Sequence, residues 1–479
     1  MAPRVPAAIT PEEVLRLDAN AEELGVPVAR LMANAGRALA DAIGRRVKRG
    51  DDILLFCGHG NNGGDGIVAA VELLARGHCP WIVLAQPRSK MRGPGRAWLD
   101  KFPKELTTVW SGRAEPDWLN VPLVVDCLLG SGLSGAPRAP YAAMIRWMNR
   151  SARSVLSCDV PSGLGSGLAV KSDATVAFHA PKVGMTQANS GRITVAPIGI
   201  PAGAADIGVG DLRIGYNSPD ARSHKGENGL VVVAGGSIPY VGAPLYAALG
   251  ALRSGADLVH ILTNDDVAGH LRSLSPEPIV HGDGVASAKA LKLAHRILER
   301  GAALLVGPGL GHGRVAREDA QTLLDLAARS KSCVVVDADG LDALDRKLMR
   351  RLAGRLVVTP HAREFRDLFA LPATARNVER MAREHGITIL CKGAVDVVSD
   401  GANTRRCLRG HPTMTVGGTG DVLAGAVATL LAKGAKPFDA ACAATYLCGA
   451  AGELAAAKRS WGASALDVAE SIPSVLLRL

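Results

Sequence analysis

No lysine closes the glycine-rich segment Cys57–Val68, CGHGNNGGDGIV, and that absence excludes the P-loop that its glycines suggest. Other absences narrow the field further. The nine cysteines form no CxxC pair, which excludes the usual zinc and disulfide frameworks and fits a reducing compartment. Aromatic residues make up only 4% of the chain and no basic run is interleaved with them, so nucleic acid is not an expected partner. No apolar run approaches the ~18 residues of a membrane span, and the opening MAPRVPAAITPEEV lacks the apolar core of a signal peptide. The expectation is therefore no membrane and a cytosolic location. The formal charge of +10 fits an ordinary solvated surface, or attraction of small polyanions such as nucleotides.

What is present is a long alternation of β-branched runs with alanine- and leucine-rich amphipathic runs. At 479 residues the chain exceeds what one hydrophobic core usually holds, so two domains are expected. The first half offers the strands DILLFC, WIVLAQ, PLVVDCLLG, SVLSCDV, DATVAF and RITVAPI. Helix-like runs lie before and between them, one starting at Ile67. Near-continuously apolar strands alternating with helices predict parallel sheets covered on both faces. Residues 207–229 lose this periodicity, which places the boundary near Asn217 and gives domains 1–217 and 218–479. The alternation then restarts with GLVVVAGGS and runs to AACAATYLCGAAGELAAA. The halves share no evident repeat, so they read as two different α/β domains.

In the second half, TVGGTGDVLAG (415–425) opens a helix with a glycine turn. Free amides and the helix dipole then converge on one point, where a phosphate or developing negative charge is stabilised. Asp421 there is read either as an N-cap or as a functional carboxylate. Lys392 follows a strand in LCKGAVD, placed to reach a phosphate, while GPGLG, DADGL and TPHAREF sit at other strand ends.

Together with SHKGENGLVVVAGGSIPYVGAPLYAALGALRSGADLV, these motifs resemble the ribokinase-like superfamily. Within it, from Ser223 to the C-terminus, they look like the ADP- or ATP-dependent NAD(P)H-hydrate dehydratases. The resemblance implies removal of the C6 hydroxyl from hydrated nicotinamide cofactor, NAD(P)HX, driven by cleavage of a nucleotide phosphoanhydride. It implies Mg2+ carried with ADP or ATP, and Asp421 as base at the substrate hydroxyl. Lys392, Gly393, Ala394, Val395 and Asp396, with Gly420, would hold the adenine nucleotide. Ala243, Gly309 and His361 would line the NAD(P)HX site, His361 alternatively serving as a helix cap.

The first half carries LMANAGRALA, GHGNNGGDGIVAA, VVDCLLGSGLSGA, SCDVPSGL and DATVAFHAPKVGM in order. Over residues 8–205 these look like the NAD(P)H-hydrate epimerases, which occur fused to the dehydratase. The resemblance implies that Asn61, Asn62, Gly63, Gly64 and Asp65 meet the dinucleotide. Gly130, Ser131, Gly132, Leu133, Ser134, Gly135 and Ala136 would form another wall. It implies K+ held by Asn62, Asp126 and Ser162. Asp159, ending VLSCDV before Pro161-Ser162-Gly163, is read either as the proton-transfer group or as a buried aspartate fixing that turn, with Lys182 a candidate for charge balance. Asp65 is expected to cap the helix from Ile67 and to contact ligand hydroxyls. The chain departs from the family at Gly165, where an aspartate is usual and the loop is longer, and at Ala33, where an acidic residue is common.

The expected architecture is thus two three-layer α/β/α domains, N-terminal Rossmann-like and C-terminal ribokinase-like. The expected activity is epimerisation of R- and S-NAD(P)HX followed by dehydration of the S form. The alternative is a kinase of a vitamin-precursor alcohol with a non-catalytic nucleotide-binding module in front. A homo-oligomer is compatible with the dehydratase family, which often assembles.

Overall fold

The computed structural model describes residues 8–112, 118, 120–133, 135–220 and 222–479. It divides into two compact units, Met1–Ala204 and Ala205–Leu479. The division falls earlier than Asn217 because the short helix Val209–Gly215 packs on the helix Pro437–Arg459 of the second unit. A side chain on Gly215 would meet Ala443 and the Asp439 carbonyl, each at 2.5 Å.

The first unit holds a seven-stranded sheet of β1 (Asp52–Cys57), β2 (Cys79–Leu84), β3 (Thr107–Val109), β4 (Leu123–Cys127), β5 (Val155–Cys158), β6 (Ala174–Phe178) and β7 (Arg192–Ala196). Their order is β3-β2-β1-β4-β5-β6-β7 and every pairing is parallel. The order reverses between β1 and β4, where Cys57 pairs with Cys127. In such sheets the crevice at the reversal, outside the strands' C-terminal ends, is where ligands bind. Ile53 to Cys57 and Leu123 to Cys127 are all buried, the pattern of strands covered on both faces.

The helix Pro11–Glu23 begins with Thr10, whose Oγ1 accepts from the Glu13 amide at 3.2 Å, and has Pro11 in its first turn. Just before it, the Ile9 amide donates to the Pro181 carbonyl (2.9 Å) and the Val183 amide to the Ile9 carbonyl (3.0 Å). These two bonds pin the start of the helix beside the chain that follows β6.

The second unit holds β8 (Leu230–Ala234), β9 (Leu258–Leu262), β10 (Ile279–His281), β11 (Ala303–Val306), β12 (Val334–Val336), β13 (Leu356–Val358), β14 (Thr388–Cys391), β15 (Asp396–Ser399) and β16 (Thr404–Cys407). The order is β10-β9-β8-β11-β12-β13-β14-β15-β16, parallel except for the last two pairings. Here the reversal lies between β8 and β11. The helices Gly242–Arg253 and Thr419–Ala432 pack so closely that a Cβ on Gly425 would lie 1.9 Å from the Ala247 carbonyl oxygen. The helix Pro437–Gly462 is long and apolar enough to cross a membrane by length and composition. It is a core helix of this unit, with 83% of its most apolar window buried.

Candidate active sites

GNNGGDG is not a loop. The helix expected from Ile67 begins at Asn61, with Gly60 as an N-cap that makes no side-chain bond. Asp65 therefore lies inside the helix and does not cap it. Glycine is a poor helix former, by ~1 kcal/mol relative to alanine, and close approach explains its presence. A Cβ on Gly63 would lie 1.9 Å from the Gly58 carbonyl oxygen, and one on Gly64 2.6 Å from Met32 Cε. Packing sets this helix start against propensity.

A cavity of about 550 Å3 opens at the β1/β4 reversal. Asn61, Asn62 and Asp65 line it from the helix start, Gly130 to Leu133 from the chain after β4, and Asp159 and Lys182 from the sheet ends. Gly63 and Gly64 sit behind it in packing contacts, and Gly135 and Ala136 are exposed outside it. Ser134 lies outside the described residues.

Asp159 directly follows β5 with φ +63°, a sparsely populated conformation for a side-chain-bearing residue. Its amide donates to the Val176 carbonyl at 2.8 Å, and its carboxylate accepts from the Phe178 amide at 3.1 Å. The same carboxylate pairs with the Lys182 ammonium, which also donates to the Phe178 carbonyl at 2.8 Å. Lys182, expected only to balance charge, is therefore the direct partner of Asp159.

Two more carboxylates share this cavity. Burial, reinforced by Asp159 and then Asp18, holds Asp65 well above the ordinary carboxylate range, with Lys182 opposing. Burial, then Asp159, pushes Asp18 up to about 6, again with Lys182 opposing. Asp18 has no counterpart among the residues expected from the sequence. Its only signal there was a charge set between Leu17 and Ala19 on a helix face that is otherwise buried. His59, bonded through Nδ1 to the Tyr141 hydroxyl, and His179 complete the polar lining. Burial first, then Lys182, lowers His179 below the usual imidazole range.

Asp126 and Ser162 meet behind the strand ends, while Asn62 lines the cavity, and the three differ in hydrogen-bonding state. Asp126 is fully buried and accepts from Ser157 Oγ (2.9 Å), Ser162 Oγ (2.6 Å) and the Ser162 amide (2.8 Å). Asn62 is 7% exposed, and among the described residues neither its side-chain oxygen nor its nitrogen has a hydrogen-bond partner. A buried amide left without partners loses one or more hydrogen bonds' worth of solvation, so it marks a place for a ligand. The short connection after Leu164 closes on itself. Ser166 Oγ donates to the Gly163 carbonyl (2.7 Å) and the Val170 amide to the Ser162 carbonyl (3.0 Å). Gly165 thus sits in a compact loop that leaves Ser162 against Asp126.

In the second unit, three polar residues directly follow three adjacent strands: Asp337 after β12, Thr359 after β13 and Lys392 after β14. Lys392 Nζ donates to Asp337 Oδ1 at 2.6 Å, and Thr359 Oγ1 donates to the same oxygen at 2.8 Å. Burial alone would depress the Lys392 ammonium. The carboxylates of Asp337 and Glu364, with the Asp337 hydrogen bond, outweigh it and the net shift is upward. Asp337, in the DADGL motif but given no role from the sequence, is the partner that fixes this lysine.

Asp421 lies in the first turn of the helix Thr419–Ala432, whose N-cap is Gly418 without a side-chain bond. The carboxylate is therefore no N-cap. Burial, then Asp337, pushes it up to about 8, with Lys392 opposing and Asp339 and Glu364 adding. A Cβ on Gly420 would stand 3.3 Å from Lys392 Nζ, so the lysine reaches the first turn beside Asp421. Lys392 to Asp396 form the antiparallel turn from β14 to β15, with Gly393, Ala394 and Val395 exposed. The Gly393 amide donates to Asp396 at 2.8 Å, and burial pushes that carboxyl up to about 6.

Gly309 and Ala243 meet at the β8/β11 reversal. Gly309 has φ +61°, and a Cβ there would lie 2.9 Å from Ala243 Cβ and 2.6 Å from the Tyr240 carbonyl oxygen. His361 is the N-cap of the helix Ala362–Phe369: its Nδ1 accepts from the Glu364 amide at 3.1 Å, and Glu364 accepts from the His361 amide at 2.7 Å. The capping alternative is thus realised. The same histidine lines a cavity of about 600 Å3 with Asp339, Asp342 and Glu364. Among the described residues, no three His, Cys, Asp or Glu side chains come together as a metal cage.

Sequence comparison matches these two units to two family profiles. Residues 231–474 match NAD(P)H-hydrate dehydratase, and residues 28–184 match the YjeF-related protein N-terminus. A bifunctional NAD(P)H-hydrate repair enzyme from Hyperthermus butylicus is 39% identical, across 98% of this chain and 92% of its own. One of the same name from Pyrobaculum aerophilum is 39% identical across 98% of both. The chain belongs to the bifunctional NAD(P)H-hydrate repair enzyme family. Among solved structures, an ADP/ATP-dependent NAD(P)H-hydrate dehydratase from Bacillus subtilis co-crystallised with ATP/Mg2+ is 27% identical. It covers 56% of this chain and 95% of its own, with a TM-score of 0.47. Family membership accounts for both units in one chain, with the profile for each falling on its own sheet.

Proposed function

We propose that the chain repairs hydrated nicotinamide cofactors. The first unit interconverts the R and S forms of NAD(P)HX, and the second dehydrates the S form to NAD(P)H at the expense of ADP or ATP. The observation that carries the reading is the Asp421–Lys392–Asp337 set at the open first turn of the helix Thr419–Ala432. It combines a cation for phosphate, free amides for developing charge, and a carboxylate for a hydroxyl proton.

Hydroxide is a poor leaving group. Asp421 takes the proton of the C6 hydroxyl as the hydroxyl oxygen attacks the terminal phosphorus of the nucleotide, breaking the phosphoanhydride bond and releasing AMP from ADP or ADP from ATP. Phosphate then departs from C6 with the C–O bonding pair, and the ring regains its double bond by losing a proton from C5. Positioning and charge stabilisation supply most of the acceleration in such transfers. Lys392 and the turn Gly393–Asp396, with Gly420, hold the nucleotide, while Ala243, Gly309 and His361 line the NAD(P)HX site. Mg2+ arriving on the phosphates needs only one or two protein carboxylates, and the cavity-lining Asp339 and Asp342 fit that need. Bound there, it neutralises phosphate charge.

In the first unit, Asn61 to Asp65 and Gly130 to Ala136 form the substrate walls, and Asp159 moves protons at C6. K+ would fit Asn62, Asp126 and Ser162, because the orphaned Asn62 oxygen is a hard, neutral ligand and Asp126 supplies a buried carboxylate. Bound there, it orders the helix start against the ligand.

Incubating the chain with S-NADHX and ADP or ATP and following absorbance at 340 nm tests the dehydratase. Recovery of NADH is expected. A phosphorylated product without NADH would replace the reading with a kinase.

A further inference from the structure

We propose that Asp18 is the second proton-transfer residue of the epimerase, working as the acid opposite Asp159. This rests on the epimerase reading of the first unit and adds a residue to it.

The geometry comes from two separate walls of one cavity. Asp159 stands at the end of β5 and is paired with Lys182, so it is the carboxylate suited to act as base. Asp18 enters from the helix Pro11–Glu23, which the Ile9 bonds to Pro181 and Val183 fasten directly beside Lys182. Asp18 makes no hydrogen bond among the described residues, so its oxygens are available to a ligand. The orphaned Asn62 side chain in the same cavity independently marks a missing ligand. The titratable groups lining this space are Asp65, Asp159, Lys182, His179, and His59 with Tyr141. Burial first, then the charge of Asp159, disfavours a negative charge on Asp18 while Lys182 favours it, and the net shift raises Asp18 to about 6. Asp159, ion-paired with Lys182, is placed to accept a proton, and Asp18, on the other wall and free of a cation partner among the described residues, to donate one.

The step balances. Asp18 gives its proton to the C6 hydroxyl as the C6–O bond breaks, and the lone pair on ring N1 forms the C6=N1 bond, releasing water. Water then adds to the other face of C6 and its proton passes to Asp159, while the C=N pair returns to N1. The reverse passage uses the two carboxylates in exchanged roles, as interconversion of two epimers requires.

The test uses the full-length chain with pure R-NADHX and no nucleotide, following R loss and S formation by chromatography across pH. Wild type is expected to interconvert the forms, with kcat/KM falling as pH rises through about 6. Asp18→Asn should lower kcat about 100-fold or more and remove that alkaline limb, with KM little changed. Asp18→Glu should restore part of the rate and the limb. Retention of wild-type rate by Asp18→Asn would overturn the proposal, as would a loss that leaves the pH profile intact. The urea midpoint of the first unit, compared with wild type, reports whether that unit is folded, and S-form dehydration reports the second. Failure of wild type to interconvert the forms, with dehydration present, would instead sink the epimerase reading and this proposal with it.

Discussion

Lys392 and Asp337 face each other across 2.6 Å from the ends of β14 and β12, with Thr359, at the end of the strand between them, bonded to the same carboxylate oxygen. The Asp337 side chain is 2% exposed, and this lysine is the cation paired with it. Lys392→Met should destabilise the second unit by about 3–5 kcal/mol, because it leaves a buried carboxylate unpaired. The double variant Lys392→Met/Asp337→Asn should recover part of that loss while nucleotide-dependent dehydration stays abolished. Urea unfolding of the four members of the cycle measures the coupling.

Asp421 should give dehydration its pH dependence. Its folded carboxyl is raised from its ordinary 3.8 to about 8, and only the ionised form can accept the hydroxyl proton. The expected kcat/KM for S-NADHX therefore climbs with pH and levels off above about 8. Asp421→Asn should lower the rate by about 100-fold or more and abolish the climb. Stability follows the opposite course. The folded state holds this proton more tightly than the unfolded state, so the contribution is complete below 3.8 and is lost as pH rises through about 8. Thermal melts of Asp421→Asn should lose that component of the alkaline decline.

Asp159→Ala should abolish interconversion of R- and S-NAD(P)HX and leave dehydration of the S form unchanged. Lys182→Met should have a similar kinetic effect through Asp159, since it removes the cation paired with that carboxylate. Supplying each variant with an R/S mixture and excess ADP or ATP separates the two activities. The S fraction should be consumed to completion while the R fraction persists.

The residues that escaped sequence reading share physical causes. The interior strands were legible because burial on both faces makes them continuously apolar. The strands that were not legible, Thr107–Val109, Ile279–His281 and Thr404–Cys407, all lie at sheet edges, where one side lacks a partner strand. Thr404–Cys407 reads TRRC and has one buried residue. The start of the helix at Asn61 was hidden because its glycines answer to Gly58 and Met32, residues whose approach no local pattern reveals. Asp421, Lys392 and Asp159 stood out because they end strands or open a helix within recognisable motifs. Asp18 and Asp337 gained roles only from neighbours far away in the chain.

Potassium dependence should separate the two halves. Replacing KCl by choline chloride at constant ionic strength should slow R/S interconversion. S-form dehydration should be unaffected if Mg2+ and nucleotide are held fixed. Asn62→Ala should blunt the response to KCl, because it removes the one donor of the trio that protein contacts leave unsatisfied. An equal response in both activities would place the cation elsewhere.

The opening of the helix at Asn61 supplies the sharpest stability contrast. Gly63→Ala brings a Cβ to 1.9 Å from the Gly58 carbonyl oxygen, with the Gly58 carbonyl carbon and amide also closer than 3.0 Å. Backbone on both sides must move, and overpacking of this kind costs about 1–3 kcal/mol or more. Gly132→Ala, across the same cavity, has nothing among the described residues within 4 Å of the added carbon and should change stability by less than about 0.5 kcal/mol. Urea midpoints of the first unit should therefore drop for Gly63→Ala and hold for Gly132→Ala. R/S interconversion should fall with Gly63→Ala even where the unit remains folded, because moving Gly58 also shifts Asn62 and Asp65 on the cavity wall. If Gly63→Ala matched wild type in both stability and interconversion, the close helix–strand contact would not be what sets this site.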